Sequence, residues 1–268
     1  MRRVAPLLAL AAALAGTPAG ALESRPLRVM SLDQCGDQYA LALAPTAELA
    51  LSPRADDPDS WMRDAAAGHR QVRPTLEAAV AFEPDVVVRY WGGDSRLLAR
   101  LEARGARIVT LDDATGFEGV RANIRKAALA LGAAPRGDAL IAGMDARLHE
   151  AARPSAARPR TALYLNAGGF TAGRGTLIDA IFGAAGLVNV AARPGFAPVS
   201  VERIALSPPA RFVLGFFDQV RGDWRGAGRH PVVRSAAKGR VAARLPAASL
   251  TCPAWFAADA AVLLKADG

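Results

Sequence analysis

Cysteine, histidine, lysine and aromatic residues are all scarce in this chain of 268 residues, with two Cys, three His and 6% aromatics. Two cysteines, Cys35 and Cys252, are too few for a disulfide-built scaffold, so an apolar core must carry the fold. The histidines His69, His149 and His230 stand far apart, without the spacing of metal ligands, and no metal site or cofactor is expected. Lysine occurs only at Lys126, Lys238 and Lys265. The excess of 33 basic over 25 acidic residues, a formal charge of +8, is therefore an excess of arginine. Those arginines are scattered, whereas nucleic-acid binding wants a clustered patch or stripe, so a solvated Arg-rich surface is the better reading. Nucleotide-loop signatures are missing as well. Gly168–Thr176 has neither the Lys-Ser/Thr pair of a Walker loop nor G-x-G-x-x-G spacing, and no G-x-S-x-G elbow occurs. No catalytic residue stands out.

What is present begins with a leader. Arg2 and Arg3 precede an apolar stretch from Val4 to Ala15, and Ala19-Gly20-Ala21 closes it. Charged start, apolar middle and A-x-A tail is the order of a secretory signal peptide, with cleavage expected after Ala21. The stretch is shorter than the roughly 20 residues that span a bilayer, and no later stretch is long enough. The mature protein is expected to be soluble and exported to an oxidising compartment, which argues against ATP- or NAD-dependent catalysis.

The remaining chain, 51% apolar, reads as two similar halves. Arg28–Leu32 and Thr161–Asn166 are β-type runs, each followed by a loop (33–37 and the Gly-rich 168–176) and a helix. Each half then repeats one pattern, TLEAAVAFEPDVVV at 75–88 and SVERIALSPPARFVL at 200–214. A polar cap and an acid, Glu77 or Glu202, open a short helix. A proline breaks it, and a strand of bulky apolar residues follows. Further β signal lies at Arg107–Leu111 and Gly239–Ala243, and an apolar helix is expected over Trp255–Lys265. Between the halves, helices are expected over Phe117–Leu131 and Arg136–Ala152, the second opened by Pro135. At 1.5 Å per residue the latter is roughly 26 Å long, a stiff crossing. The expected class is α/β, two similar halves of parallel sheet with helices on their faces, joined by a single long α-helix. The boundaries are 1–21 for the leader, 22–134 and 154–268 for the lobes, and 135–153 for the bridge.

The order RVMSL, TLEAAVAFEPDVVV, YWGGD, crossing helix, GGFTAGRGT, GLVNVA, VSVE resembles the periplasmic substrate-binding proteins of importers for vitamin B12, ferric siderophores and haem. The resemblance covers nearly all of the mature chain, and it implies two Rossmann-like lobes bridged by a single long α-helix, with the ligand cleft between the lobes. It implies a monomer without catalysis that captures a bulky chelate or corrinoid and delivers it to an inner-membrane ABC permease dimer with its cytoplasmic ATPase. It further implies that Glu77 and Glu202, at the matching motif positions, dock on permease arginines. Read alone, either is an ordinary first-turn acid stabilised by the helix dipole.

Open α/β sheets bind ligands beyond the carboxyl ends of their strands. That rule selects Gln34, Cys35 and Gly36, then Tyr90, Trp91 and Gly92, from the first half. From the second it selects Phe170, Arg174, Phe196, Phe216, Phe217, Asp218, Cys252, Trp255 and Phe256. Tyr90, Trp91, Phe170 and Phe196 are favoured because matching loops of the family carry ligand-contacting aromatics. Arg54, Arg89 and Arg174 are candidate cations for an anionic ligand. Cys35 and Cys252 are expected on loops of opposite lobes. The compartment favours a bond between them, a carrier that opens disfavours it, and thiol coordination of a bound metal is a third reading. Asp56, Asp57 and Asp59 are expected to form a solvated turn around Pro58. The competing functional class is an exported α/β enzyme with its site at the Gly168–Thr176 loop.

Overall fold

The computed structural model describes residues 25–152, 160–219, 221–222 and 225–266, so the expected leader and its cleavage after Ala21 lie outside the described residues. The first half alternates β1 (Arg28–Ser31), α1 (Gln34–Leu43), β2 (Glu48–Leu51), β3 (Arg70–Gln71), α2 (Leu76–Phe82), β4 (Val86–Arg89), α3 (Ser95–Glu102), β5 (Arg107–Thr110) and α4 (Phe117–Ala130). The strands pair in parallel in the order β3-β2-β1-β4-β5. Side chains alternate across a strand, so a parallel strand covered on both faces must be apolar throughout. The Val86–Val88 run meets that demand. Val86 and Val88 enter one core with Val29 and α1, while Val87 enters another with Met30, Phe82 and Leu101.

After α5 (Ala134–Ala152) the second half runs β6 (Arg160–Asn166), β7 (Phe170–Ala172), α6 (Leu177–Ala184), β8 (Leu187–Asn189), β9 (Phe196–Pro198), α7 (Val201–Leu206), β10 (Phe212–Gly215), α8 (Pro231–Ala237), β11 (Val241–Leu245) and α9 (Ala257–Ala266). Its parallel sheet has the order β11-β10-β6-β8. Matching β6, β8, β10 and β11 to β1, β2, β4 and β5 superposes the two orders, so the repeat seen in the sequence is a repeat of topology. The halves also match in layers. The helices α2 and α3 cover one face of the first sheet through Ala79, Phe82, Leu97 and Leu101, and α7 and α8 cover the second through Ile204, Val233 and Ala237.

Three local expectations are revised. Residues 34–36 belong to α1 and not to a loop, because the Asp33 side chain accepts from the Cys35 and Gly36 amides and caps the helix there. The Gly168–Thr176 segment is not wholly loop, since Phe170–Ala172 pairs antiparallel with Phe196–Pro198 as a two-stranded ribbon. Finally, α9 starts at Ala257 and not at Trp255. The preceding residues are pinned elsewhere: Cys252, Ala254 and Phe256 sit in the first half's core, while Ala257, Ala260, Ala261 and Leu264 sit in the second's.

The chain therefore passes between the two cores twice. On α5, Ile141 and Met144 pack in the first core and Ala151 in the second. Alongside it runs α9, where Asp259 accepts from Arg147 Nε at 2.7 Å and Lys265 Nζ donates to the Glu150 carbonyl at 2.9 Å. No described helix is long and apolar enough to cross a membrane.

Candidate functional site

In the first sheet the loops after β1 and β4 diverge, and such a switch point normally opens a ligand crevice. Here Asp33 closes it. Its Oδ1 accepts from the amides of Cys35 (3.0 Å) and Gly36 (2.9 Å), and its Oδ2 from those of Tyr90 (2.7 Å), Trp91 (3.0 Å) and Gly92 (2.7 Å). The two glycines permit this approach. A Cβ on Gly36 would lie 2.5 Å from the Val88 carbonyl oxygen, and one on Gly92 would lie 2.2 Å from that of Leu32. Gln34 is buried too, donating to Asp59 (3.3 Å) and Ser60 (2.7 Å).

The space between the halves lies further out. A cavity of about 400 Å³ is lined from the first half by Tyr90, Asp113, Ala114 and Thr115. The second half contributes Thr176, Ile178, Phe196, Phe216 and the 249–253 segment. Of the residues chosen from sequence, Tyr90, Phe196, Phe216 and Cys252 come together there. The Tyr90 hydroxyl donates to Asp113 at 2.9 Å. Burial first, and then that carboxylate, push the phenol up to about 12, so Tyr90 is neutral across the physiological range. Phe216 holds φ 59°, a sparsely populated conformation for a bulky side chain, and such strain gathers at binding sites. Asp113 and Thr115 were not anticipated, although they follow β5 just as Tyr90 follows β4, and the same strand-end rule selects them.

Exposed aromatics ring the second half's side. Phe196 is 67% exposed and Phe170 45%. Ala172 pairs with Phe196 and Phe170 with Pro198, so both rings stand on the same face of the β7–β9 ribbon. Trp91 is 61% exposed on the loop after β4. Arg174 is exposed, and its carbonyl accepts from the Gly195 amide at 2.9 Å.

Other chosen side chains are engaged internally. Arg54 pairs with Asp57 (2.9 Å) and Asp59 (3.4 Å), and Arg89 donates to the Gly92 carbonyl and to Thr110. Asp59 is 4% exposed, which corrects the expected solvated turn; Arg54, Gln34 and, from the second half, Gln219 surround it. Asp57 likewise meets Arg221 at 3.7 Å. Phe217 lies under the Arg229 guanidinium at 5.1 Å, and Asp218 accepts from the Ala247 amide.

Cys35 and Cys252 form a disulfide with Cα atoms 5.4 Å apart. The expectation that they sit on opposite lobes is corrected, because Cys252 is buried in the first half's own core. Neighbouring contacts fasten the same segment: Tyr39 donates to the Pro253 carbonyl at 2.7 Å, Trp61 stacks on Phe256 at 5.1 Å, and Trp255 meets Tyr39 edge-on at 5.4 Å. The bond secures one wall of the cavity and does not clamp the halves shut.

Glu77 and Glu202 are both exposed, each the second residue of its helix. Thr75 and Ser200 cap those helices, accepting from Ala78 and Arg203. The Glu202 carboxyl is held below its usual range by its own backbone amide and by the Ser200 hydroxyl, which donates to it at 2.8 Å.

Residues 38–214 match the family described as periplasmic binding protein. No curated protein matches the chain. Among solved structures, the chain is similar to a periplasmic haem-binding protein from Pseudomonas aeruginosa, with TM-score 0.57 and 25% identity, covering 80% of this chain and 77% of that one. The haem-binding RhuT from Roseiflexus sp. RS-1, in apo form, gives 0.67 and 23% over 90% and 97%. The vitamin B12-binding BtuF of Vibrio cholerae gives 0.63 and 20% over 90% and 96%.

Proposed function

The chain belongs to the periplasmic binding protein family, and from that premise we propose that it captures a bulky metal chelate or corrinoid, namely haem, a ferric siderophore or cobalamin, and delivers it unaltered to an inner-membrane ABC permease. The observation that supports this most is the cavity lined by both halves, with aromatic rings of Tyr90, Phe196 and Phe216 around it. Flat, large ligands suit aromatic walls. The names of the similar structures, two haem-binding and one B12-binding, point to the same ligand class.

In this reading residues 1–21 are a leader removed on export. Lobes 22–134 and 154–268 close on the ligand about the 135–153 helix. Tyr90, Phe196 and Cys252 contact the ligand directly, while Trp91, Phe170 and Arg174 meet its outer rim. Gln34, Cys35, Gly36, Gly92 and Trp255 position those loops from behind. Glu77 and Glu202 dock on the permease, each set by a capped helix in equivalent layers of the two lobes.

The test is native mass spectrometry and an absorption spectrum of the protein purified from its own periplasm. A coloured chelate that is bound one-to-one and released unchanged supports the proposal. Turnover of the ligand, or retention of a small colourless solute, overturns it.

A further inference from the structure

We propose that the cavity between the halves selects a chelate that presents N–H donors and no negative charge to it, an amide- or ammonium-bearing ligand, and turns away carboxylate-rimmed chelates. The selection rests on the carrier reading above, for which it names the ligand chemistry. Among the described residues that line the cavity, Asp113 is the only acidic or basic side chain. The candidate cations read from the sequence stand apart from it. Arg89 donates to the Gly92 carbonyl and to Thr110, Arg54 pairs with Asp57 and Asp59, and Arg174 is exposed outside the lining. Two helices, α4 and α6, begin beside the cavity, and a helix start favours anions. Each start is answered within the protein, by Glu118 in the first turn of α4 and by Asp179 in that of α6. A carboxylate entering here would lose water, meet Asp113 and find no lining cation.

Hydrogen-bond direction agrees with charge. Among the described lining residues, four polar side chains are not buried: Tyr90, Asp113, Thr115 and Thr251. The Tyr90 proton goes to Asp113 at 2.9 Å and the Thr251 proton to the Ala247 carbonyl at 2.8 Å, because a carboxylate and a carbonyl can only accept. Both hydroxyl oxygens are left with lone pairs for a ligand. Asp113 offers its second oxygen, to which no described residue donates. Thr115 alone can still donate. The reachable polar groups are therefore mostly acceptors, set beside the accessible apolar surface of Phe196, Phe216, Leu177 and Leu250. An apolar body rimmed with N–H groups satisfies them, whereas a carboxylate rim leaves them unpaired or opposed.

This chemistry has two sources, amide-rimmed corrinoids and ferric hydroxamates that carry a free amine. The test is calorimetric titration of the mature protein with four probes. Dicyanocobinamide, an amide-rimmed corrin, and ferrioxamine B, a ferric hydroxamate with one ammonium, represent the two sources. Dicyanocobyrinic acid, the same corrin ring with carboxylates in place of amides, and haemin, with two propionates, are the anionic counterparts. One or both of the first pair is expected to bind about a hundredfold more tightly than either anion, since like charges brought together in a binding site cost on that scale. Whichever of the pair binds assigns the source.

Asp113→Asn is expected to weaken that probe about tenfold, the scale of one charge-assisted hydrogen bond, and to strengthen binding of the anions. Asp113 is exposed, so the variant melts at the wild-type midpoint. Glu102→Gln, remote on α3, leaves every affinity unchanged. Anionic probes that bind as tightly as the others, or an Asp113→Asn variant that holds dicyanocobinamide and ferrioxamine B as the wild type does, overturn the selection and leave the carrier reading standing. Binding of none of the four overturns both.

Discussion

Asp33 joins the loops after β1 and β4 with one carboxylate, taking five backbone amides while only 2% exposed. Hydrogen bonds to a charged acceptor contribute about 1.5–3 kcal/mol each, and buried donors left unpaired cost about as much. Asp33→Ala is therefore expected to lower unfolding free energy by at least about 3 kcal/mol in urea titration, a loss that Asp33→Asn partly restores. Asp37, one helical turn on, illustrates the opposite balance. It accepts from the Ser52 amide and hydroxyl, yet burial raises it from 3.8 to about 6. The native state then holds its proton more tightly than the unfolded chain. The resulting stability is complete below about pH 3.8 and is lost as pH rises through about 6, up to about 3 kcal/mol in all. Melting midpoints should accordingly fall from pH 4 to pH 6.5 in the wild type relative to Asp37→Asn. In the cavity between the halves, Phe196 is exposed enough that Phe196→Ala should leave the melt unchanged while weakening chelate binding about tenfold, as lost aromatic contacts do. Fluorescence titration reads both the wild type and the variant. At this scale the strand-end rule selected Tyr90 and Phe196, and both line the cavity between the halves. It could not tell that Gln34, Gly36 and Gly92 are consumed by internal packing, because that depends on how closely two loops approach.

Elements were legible where period and punctuation agree. The Glu-to-Pro helices and the valine strand appear almost where the sequence places them, because a capped start, a proline stop and an all-apolar strand are local signals. The β7–β9 ribbon was not legible, since its pairing joins Phe170 to Pro198 across a helix and a strand. The 251–256 segment was misread for a similar reason. Its anchors, Cys35, Tyr39 and Trp61, are about two hundred residues away, and contacts at that distance leave no local pattern. The disulfide closes a loop with a sequence separation of 217, for which chain-entropy arguments give up to about 5 kcal/mol. Cys35→Ser/Cys252→Ser should lower the melting midpoint by several degrees or more. Reduction of the wild type with dithiothreitol should reproduce that shift, and chelate binding should weaken as the cavity wall loosens.

Two sheets of the same strand order, covered by matching helix layers, place Glu77 and Glu202 on equivalent helices. If they dock as proposed, Glu77→Arg/Glu202→Arg abolishes uptake in vesicles containing the permease and its ATPase while leaving chelate affinity intact. Uptake that survives the double reversal counts against docking. Two elements, not one, carry the chain between the two cores. Besides α5, α9 lies along it through Arg147–Asp259, and its lead-in is tied to the first core. The Asp59–Gln219 contact at 3.4 Å and the Asp57–Arg221 contact at 3.7 Å also join the halves.

Short-range apolar periods, caps and breakers carry the α/β class, the duplication, the strand and helix alternation and the family likeness, so all four can be read without knowing the packing. Packing between remote segments settles that Asp33 fills the switch point and that Cys252 returns to the first core. Those outcomes depend on which distant segments meet, and burial, not local propensity, selects among the meetings.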